Sequence, residues 1–116
     1  MRRVENLLMD ILKAIDNIEN YTHGIDYRSF ESNQEKIDAV LRNFEIIGEA
    51  VKNLPNEIKR KQKEIEWKSI SGMRDIIVHE YFGVDLEIVW KAIKEDLPGF
   101  KKKIKRILDE VQRDGK

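Results

Sequence analysis

Hydrophobic residues recur every three or four positions along most of the chain, and this spacing places them on one face of an α-helix. The first stripe covers residues 4–18 and is followed by Gly24, a suitable left-handed stop for a helix. The second begins at a capping-box pattern, with Ser32 as the cap and Glu35 three residues later, and it ends before Pro55. The pattern therefore predicts two long amphipathic helices in the first half of the chain.

The second half carries three further hydrophobic stripes. One covers residues 67–77 and leads to a break at Gly83, Asp85 caps the next, and Pro98 suits the first turn of the last. Before them, residues 56–66 are strongly polar and predict a short helix or a turn. No useful length of sequence alternates with period two, so the chain is predicted to be all-α, an antiparallel bundle of four to five helices.

Composition narrows the classes of protein that fit this pattern. The 116 residues support one hydrophobic core, so we expect a single domain over residues 1–116. The 22 Lys and Arg balance 22 Asp and Glu, which excludes a protein that coats nucleic acid by bulk charge but allows local basic patches. No Cys is present, and no apolar run approaches the roughly 20 residues of a membrane span. We therefore expect a cytoplasmic protein without membrane contact.

The densest mixture of titratable and apolar residues lies between positions 72 and 83, around one of the chain's two histidines. Asp75 and His79 are four residues apart and share a helix face, so the carboxylate can accept an imidazole N–H and fix its tautomer. Arg74 and His79 are five apart and point about 140° away from each other on a straight helix. Either the helix unwinds near His79, or the Arg74 side chain wraps round, or two copies of the protein bring these residues together. Taken alone, such a cluster is also typical of structural ion pairs.

The cluster forms a recognisable motif, in which Arg74, four residues, His79, one residue and Tyr81 read R-x4-H-x-Y. Further segments that carry the same resemblance are Gly72-Met73, Glu80 to Asp85, Ile46-Ile47-Gly48-Glu49-Ala50, Trp67 and Asp96-Leu97-Pro98. In these features the chain resembles the HEPN-domain ribonucleases, specifically the HepT-like toxins of two-gene toxin–antitoxin modules.

The resemblance implies a metal-independent endoribonuclease that dimerises through its motif-bearing face, so that two motifs line one cleft. In such a site His79 would be the acid–base group at the ribose 2′-OH or the leaving oxygen. Arg74 would hold the scissile phosphate and stabilise its developing charge, and Asp75 would orient the pair. RNA supplies its own nucleophile in the 2′-OH, so no metal and no cofactor are expected.

Tyr81 has a separate role in this resemblance. It corresponds to the tyrosine that a partner antitoxin, an MNT-type minimal nucleotidyltransferase, modifies with AMP groups from ATP. Phosphates added beside Arg74 would block the RNA backbone by repulsion and occupancy. The residues alone favour a simpler interpretation, a half-buried tyrosine whose hydroxyl group finds a local partner.

Two questions stay open at the level of sequence. Lys101, Lys102 and Lys105 belong to a basic run on the last predicted helix, which either guides an RNA backbone or is a solvated helix face. The function also has alternatives: a nuclease-inactive HEPN module that serves a nucleotidyltransferase as a partner or substrate-binding subunit, and a purely structural helical protein. The presence of Arg74 and His79 favours the ribonuclease, because a module that only binds needs no acid–base group.

Overall fold

The computed structural model describes residues 2–114, and every regular element in this part of the chain is helical. The elements, in chain order, are α1 (Arg2–Thr22), α2 (Tyr27–Glu31), α3 (Gln34–Asn53), α4 (Asn56–Lys61), α5 (Trp67–His79), a 3₁₀ turn (Tyr81–Gly83), α6 (Leu86–Lys91), a π-helical turn (Ala92–Asp96) and α7 (Leu97–Asp114). The predicted all-α fold class is confirmed. None of these helices is long and apolar enough to cross a membrane.

Helix α3 lies between α1 and α5 and packs against both. The Asn17 side-chain amide of α1 donates a hydrogen bond to Asn43 in the middle of α3, at 3.1 Å. Near the start of α3, the Lys36 ammonium group donates to the carbonyl oxygen of Tyr21 at the end of α1, at 2.8 Å. The start of one helix therefore meets the end of the other, so α1 and α3 run antiparallel.

The core is built from the aliphatic stripes that the sequence pattern predicts. Each fully buried aliphatic side chain contributes about 1.5–3 kcal/mol relative to its exposed state, so these stripes hold the long helices together. The largest of the fully buried aliphatic side chains are Leu8, Ile11, Ile15 and Ile18 of α1, Val40, Leu41, Ile47 and Val51 of α3, Ile77 of α5, and Ile104 and Ile107 of α7.

The connection after α1 contains a helix that the sequence pattern did not predict. Gly24 has a φ of 73° and ends α1 as expected. Asp26 then caps α2 by accepting a hydrogen bond from the backbone N–H of Ser29 at 2.9 Å. Phe30 is completely buried, and its ring centroid lies 5.2 Å from that of Trp90. A helix of only five residues shows no periodic stripe, and its tertiary contact supplies the stability that its length cannot.

The start of α3 differs from the predicted capping box by one residue. The Ser32 hydroxyl donates to the carbonyl oxygen of Arg28 at 2.8 Å, so it belongs to the end of α2. Asn33 has an extended backbone and caps α3 instead, accepting a hydrogen bond from the backbone N–H of Lys36 at 3.1 Å. The prediction of Ser32 as the cap is wrong because α2 already uses that hydroxyl group.

The last two predicted helices are joined rather than separated. Asp85 caps α6 as predicted and accepts from the backbone N–H of Glu87 at 2.9 Å. Pro98 lies in the first turn of α7 as predicted, but the chain ahead of it stays helical through the π turn at Ala92–Asp96. A proline ring clashes with the carbonyl group four residues earlier in a regular α-helix, and the wider π turn gives that group more room.

Trp67 fixes the polar segment between α3 and α5 onto the core. Its indole N–H points at the carbonyl oxygens of Lys59 and Gln62, at 3.2 Å each, and its ring meets that of Phe100 edge-on with centroids 6.3 Å apart. The polar segment contains α4, the first of the two predicted alternatives, a short helix or a turn. These contacts place the first turn of α7 beside the start of α5.

Candidate functional site

The motif residues occupy the second half of α5 and the 3₁₀ turn that follows it. Helix α5 ends at His79, Glu80 is its C-terminal cap, and Tyr81 begins the turn. Arg74 and His79 therefore stand on one continuous α-helix, where five residues correspond to a rotation of about 140°. Unwinding of the helix between Arg74 and His79, one of the three alternatives left by the sequence, does not occur.

The Arg74 side chain leans away from the end of α5 and onto α3. Its Cβ lies so close to Gly48 that a methyl group on Gly48 would stand 2.3 Å from it. The guanidinium group is held from two sides, by Glu49 through Nε at 3.1 Å and by Asp75 through Nη1 at 3.1 Å. Arg74 therefore does not wrap round α5 towards His79, and the glycine in α3 determines how closely its stem approaches that helix.

Asp75 contacts Arg74 but not His79. Its Oδ1 accepts a hydrogen bond from the Lys52 ammonium group at 2.8 Å as well as the one from Arg74. These two hydrogen bonds hold the pKa of Asp75 below its ordinary value, and the bond from Lys52 has the larger effect. The predicted hydrogen bond between Asp75 and His79 is wrong, because the lysine of the neighbouring helix α3 engages the carboxylate instead.

His79 is exposed at the end of α5. Within residues 2–114, no side-chain hydrogen bond, ion pair or ring contact involves its imidazole. Three large apolar side chains close to it in the sequence are also exposed, Ile76 by 57%, Val78 by 45% and Phe82 by 98%. The imidazole is thus accessible to a bound molecule.

Tyr81 is anchored to the start of α3. Its hydroxyl group donates a hydrogen bond of 2.5 Å to Oδ1 of Asp38, which also accepts from the Gln34 amide at 2.8 Å. The bond to Asp38, followed by partial burial, raises the pKa of Tyr81 to about 12. The sequence predicts a local partner for this hydroxyl group, but Asp38 lies 43 residues away and gave no signal that could identify it.

The basic run of α7 is not brought to the motif. Lys101 forms ion pairs with Asp16 at 3.0 Å and Glu19 at 2.7 Å, and thereby ties α7 to α1. Lys102 and Lys105 are exposed and, in the described part of the chain, form no hydrogen bond or ion pair with the motif residues. The first turn of α7 lies near the start of α5. The motif lies at the other end of α5, about 18 Å away along the axis of that helix. A role of these lysines in RNA binding stays a prediction.

A groove of about 390 Å³ adjoins Arg74 between α1, α3 and α5. Arg42 lies on its rim and pairs with Glu45 at 3.7 Å, while Glu49 pairs with Arg74. Within residues 2–114, this groove included, no group of three or more His, Cys, Asp or Glu residues could hold a metal ion. The expectation of no metal and no cofactor stays a prediction.

The close contact at Gly48 leads to a test of stability. We expect Gly48→Ala to lower the free energy of unfolding by about 1–3 kcal/mol, because the added methyl group forces α3 and α5 apart. Gly72→Ala in α5 is the matched control, since a Cβ there meets nothing within 4 Å and alanine favours the helix. Thermal and urea unfolding measure both variants. Equal stability of the two variants would contradict the packing described here.

Comparison with known proteins adds an independent observation. The family model described as "Ribonuclease HepT-like" matches residues 11–107. The chain is 43% identical over 106 residues to "Probable ribonuclease HepT" of Thermococcus cleftensis, covering 91% of this chain and 96% of that protein. It is 40% identical over 111 residues to "Putative RNase MJ0125" of Methanocaldococcus jannaschii, covering 96% of each. It is also 40% identical over 108 residues to "Putative RNase TTE0752" of Caldanaerobacter subterraneus, covering 93% of this chain and 96% of that protein. No solved structure gives a significant match.

Proposed function

The chain belongs to the HepT-like ribonuclease family, and from this premise we propose that it is an endoribonuclease that cleaves RNA without a metal ion. The observation that carries the proposal is the pairing of a fixed cation with a free acid–base group within one motif. The Arg74 guanidinium is held by Glu49 and Asp75, whereas the His79 imidazole is exposed.

These two groups match the needs of RNA cleavage by the ribose 2′-OH. The 2′-oxygen attacks the neighbouring phosphorus, His79 accepts the hydroxyl proton, and the bond to the 5′-oxygen of the next nucleotide breaks. A second imidazole, that of His79 in a second copy of the chain, donates a proton to that leaving oxygen. Arg74 stabilises the negative charge that develops on the non-bridging phosphate oxygens, which suits a forked guanidinium.

The site requires a second copy of the chain. Within one copy Arg74 leans onto α3 while His79 points about 140° away around α5, so one phosphate does not reach both. Phe82, which is 98% exposed beside the motif, supports a homodimer through this face, because aromatic side chains are enriched at protein interfaces. Two copies would then supply two arginines and two imidazoles to one cleft.

The proposal includes a means of control. The protein acts as the toxin of a toxin–antitoxin pair, and an MNT-type nucleotidyltransferase neutralises it by transferring AMP from ATP to Tyr81. Tyr81 lies two residues after His79, so attached phosphate groups add negative charge where the RNA backbone must bind. Repulsion between the two then prevents cleavage.

Intact-mass measurement tests this control. We expect wild-type protein, co-expressed with a nucleotidyltransferase encoded beside its gene, to gain one or more adenylate increments. Tyr81→Phe should gain none, because it lacks the acceptor oxygen. Wild-type protein without any increment, or the same increment on Tyr81→Phe, would contradict the assignment of Tyr81 as the acceptor.

A further inference from the structure

Asp38 of α3 stands directly against the hydroxyl group of Tyr81, and we propose that its carboxylate is the base that accepts the Tyr81 proton during nucleotide transfer. This inference rests on the proposed function, in which Tyr81 is the acceptor. The distance of 2.5 Å between Tyr81 Oη and Asp38 Oδ1 is already that of a strong hydrogen bond to a charged oxygen. The proton therefore has a short path to the carboxylate.

The Tyr81 hydroxyl group needs such a base. Asp38 and partial burial raise the pKa of Tyr81 to about 12, so the hydroxyl group keeps its proton at neutral pH. A neutral phenol is a weak nucleophile, and an adjacent general base is the usual means of activating one. Within residues 2–114, Asp38 is the residue to which this hydroxyl group donates a hydrogen bond.

Asp38 differs from Asp75 in the charge of its hydrogen-bond donors, and this difference suits Asp38 to accept a proton. Asp75 is bound by two cations, Lys52 and Arg74, which lower the affinity of its carboxylate for a proton. Asp38 accepts hydrogen bonds from two uncharged donors, Tyr81 and Gln34. The larger contribution that lowers the pKa of Asp38 comes from Tyr81 itself, and it disappears when the tyrosine gives up its proton. Gln34 meanwhile holds the carboxylate in place.

The transfer step balances with a nucleoside triphosphate supplied by the nucleotidyltransferase. A bond forms between Tyr81 Oη and the α-phosphorus, and the bond from that phosphorus to the bridging oxygen breaks. Pyrophosphate leaves with the electron pair of the broken bond. The hydroxyl proton passes to Asp38 Oδ1 and then to water, which restores the carboxylate.

The rate of labelling measures this role. With purified nucleotidyltransferase and α-labelled ATP, we expect Asp38→Asn to take up label at least about 10²-fold more slowly than wild type, because an amide accepts a hydrogen bond but no proton. Asp38→Glu, which restores a carboxylate, should recover part of the rate. Glu45→Gln is the matched control: it removes a charge of the same helix that has no hydrogen bond to Tyr81 and should stay within about twofold of wild type.

A spectroscopic titration provides a readout that does not depend on the partner. Absorbance of tyrosinate, taken as the difference from Tyr81→Phe, should show ionisation of Tyr81 near pH 12 in wild type and near pH 10 in Asp38→Asn. An unchanged titration would overturn the contact, and wild-type labelling rates in Asp38→Asn would overturn the inference alone. Absence of label on wild-type protein would overturn the proposed acceptor and this inference with it.

Discussion

Replacement of His79 by alanine is expected to lower the rate of RNA cleavage by about 10²- to 10⁴-fold, the range that general acid–base catalysis contributes. The loss should fall on the chemical step, because the imidazole moves the proton on which bond making and breaking depend. The fold should stay intact, since His79 is exposed and no side-chain contact in the described part of the chain depends on it. Single-turnover cleavage of an end-labelled RNA measures the rate directly.

The second histidine of the chain is the control for this experiment. His23 is exposed just beyond the end of α1 and is absent from the motif. His23→Ala should cleave RNA at the wild-type rate. Undiminished cleavage by His79→Ala, or an equal loss in His23→Ala, would contradict the role given to His79. Wild-type protein that binds RNA without cleaving it would instead favour the nuclease-inactive binding module.

Replacement of Arg74 is expected to have the next largest effect. Arg74→Ala removes the cation from the developing phosphate charge and should lower the cleavage rate by about 10²- to 10³-fold. Arg74→Lys keeps the charge but loses the planar fork that Glu49 and Asp75 orient, so it should recover only part of the rate. The ion pairs themselves are partly exposed and contribute about 0–1 kcal/mol each, so both variants should fold.

Arg42 offers the matched control, because it is an exposed arginine on the rim of the same groove and, among residues 2–114, forms its ion pair with a neighbour on its own helix. Arg42→Ala removes the same charge without touching the motif and should retain nearly full activity. Cleavage rates and circular dichroism spectra of the three arginine variants, measured together, separate catalysis from folding. Wild-type cleavage by Arg74→Ala would contradict its assigned role.

The hydrophobic pattern predicts a helix wherever the helix is long enough for its apolar residues to recur periodically. Helices α1 and α3 and the caps at Gly24 and Asp85 could be predicted, because each depends on a few neighbouring residues. Helix α2 could not be predicted from periodicity, because five residues span little more than one turn and Phe30 is buried by a distant tryptophan. The shift of the α3 cap from Ser32 to Asn33 depends on that same unpredicted helix.

The candidate site shows the same division between local and distant information. Arg74, His79 and Tyr81 could be found because their spacing within one helix and turn forms a motif. The α3 partners of these residues and of Asp75 could not be assigned from the sequence. Asp38, Glu49 and Lys52 each lie 23 or more residues from the side chain that they contact, so helical spacing does not connect them. The helical spacing of Asp75 and His79 was misleading, since it takes no account of a competing lysine on the neighbouring helix.

The central claim is that Arg74 and His79 cleave RNA through the 2′-OH and without a metal ion. The most direct measurement is cleavage by unmodified protein in EDTA, using an RNA and a matched RNA with a single 2′-deoxyribose at the cleaved position. We expect the RNA to be cut at the same rate with and without EDTA, and the deoxy-substituted RNA to resist cleavage at that position. Activity lost in EDTA, or equal cleavage of the two substrates, would contradict the account.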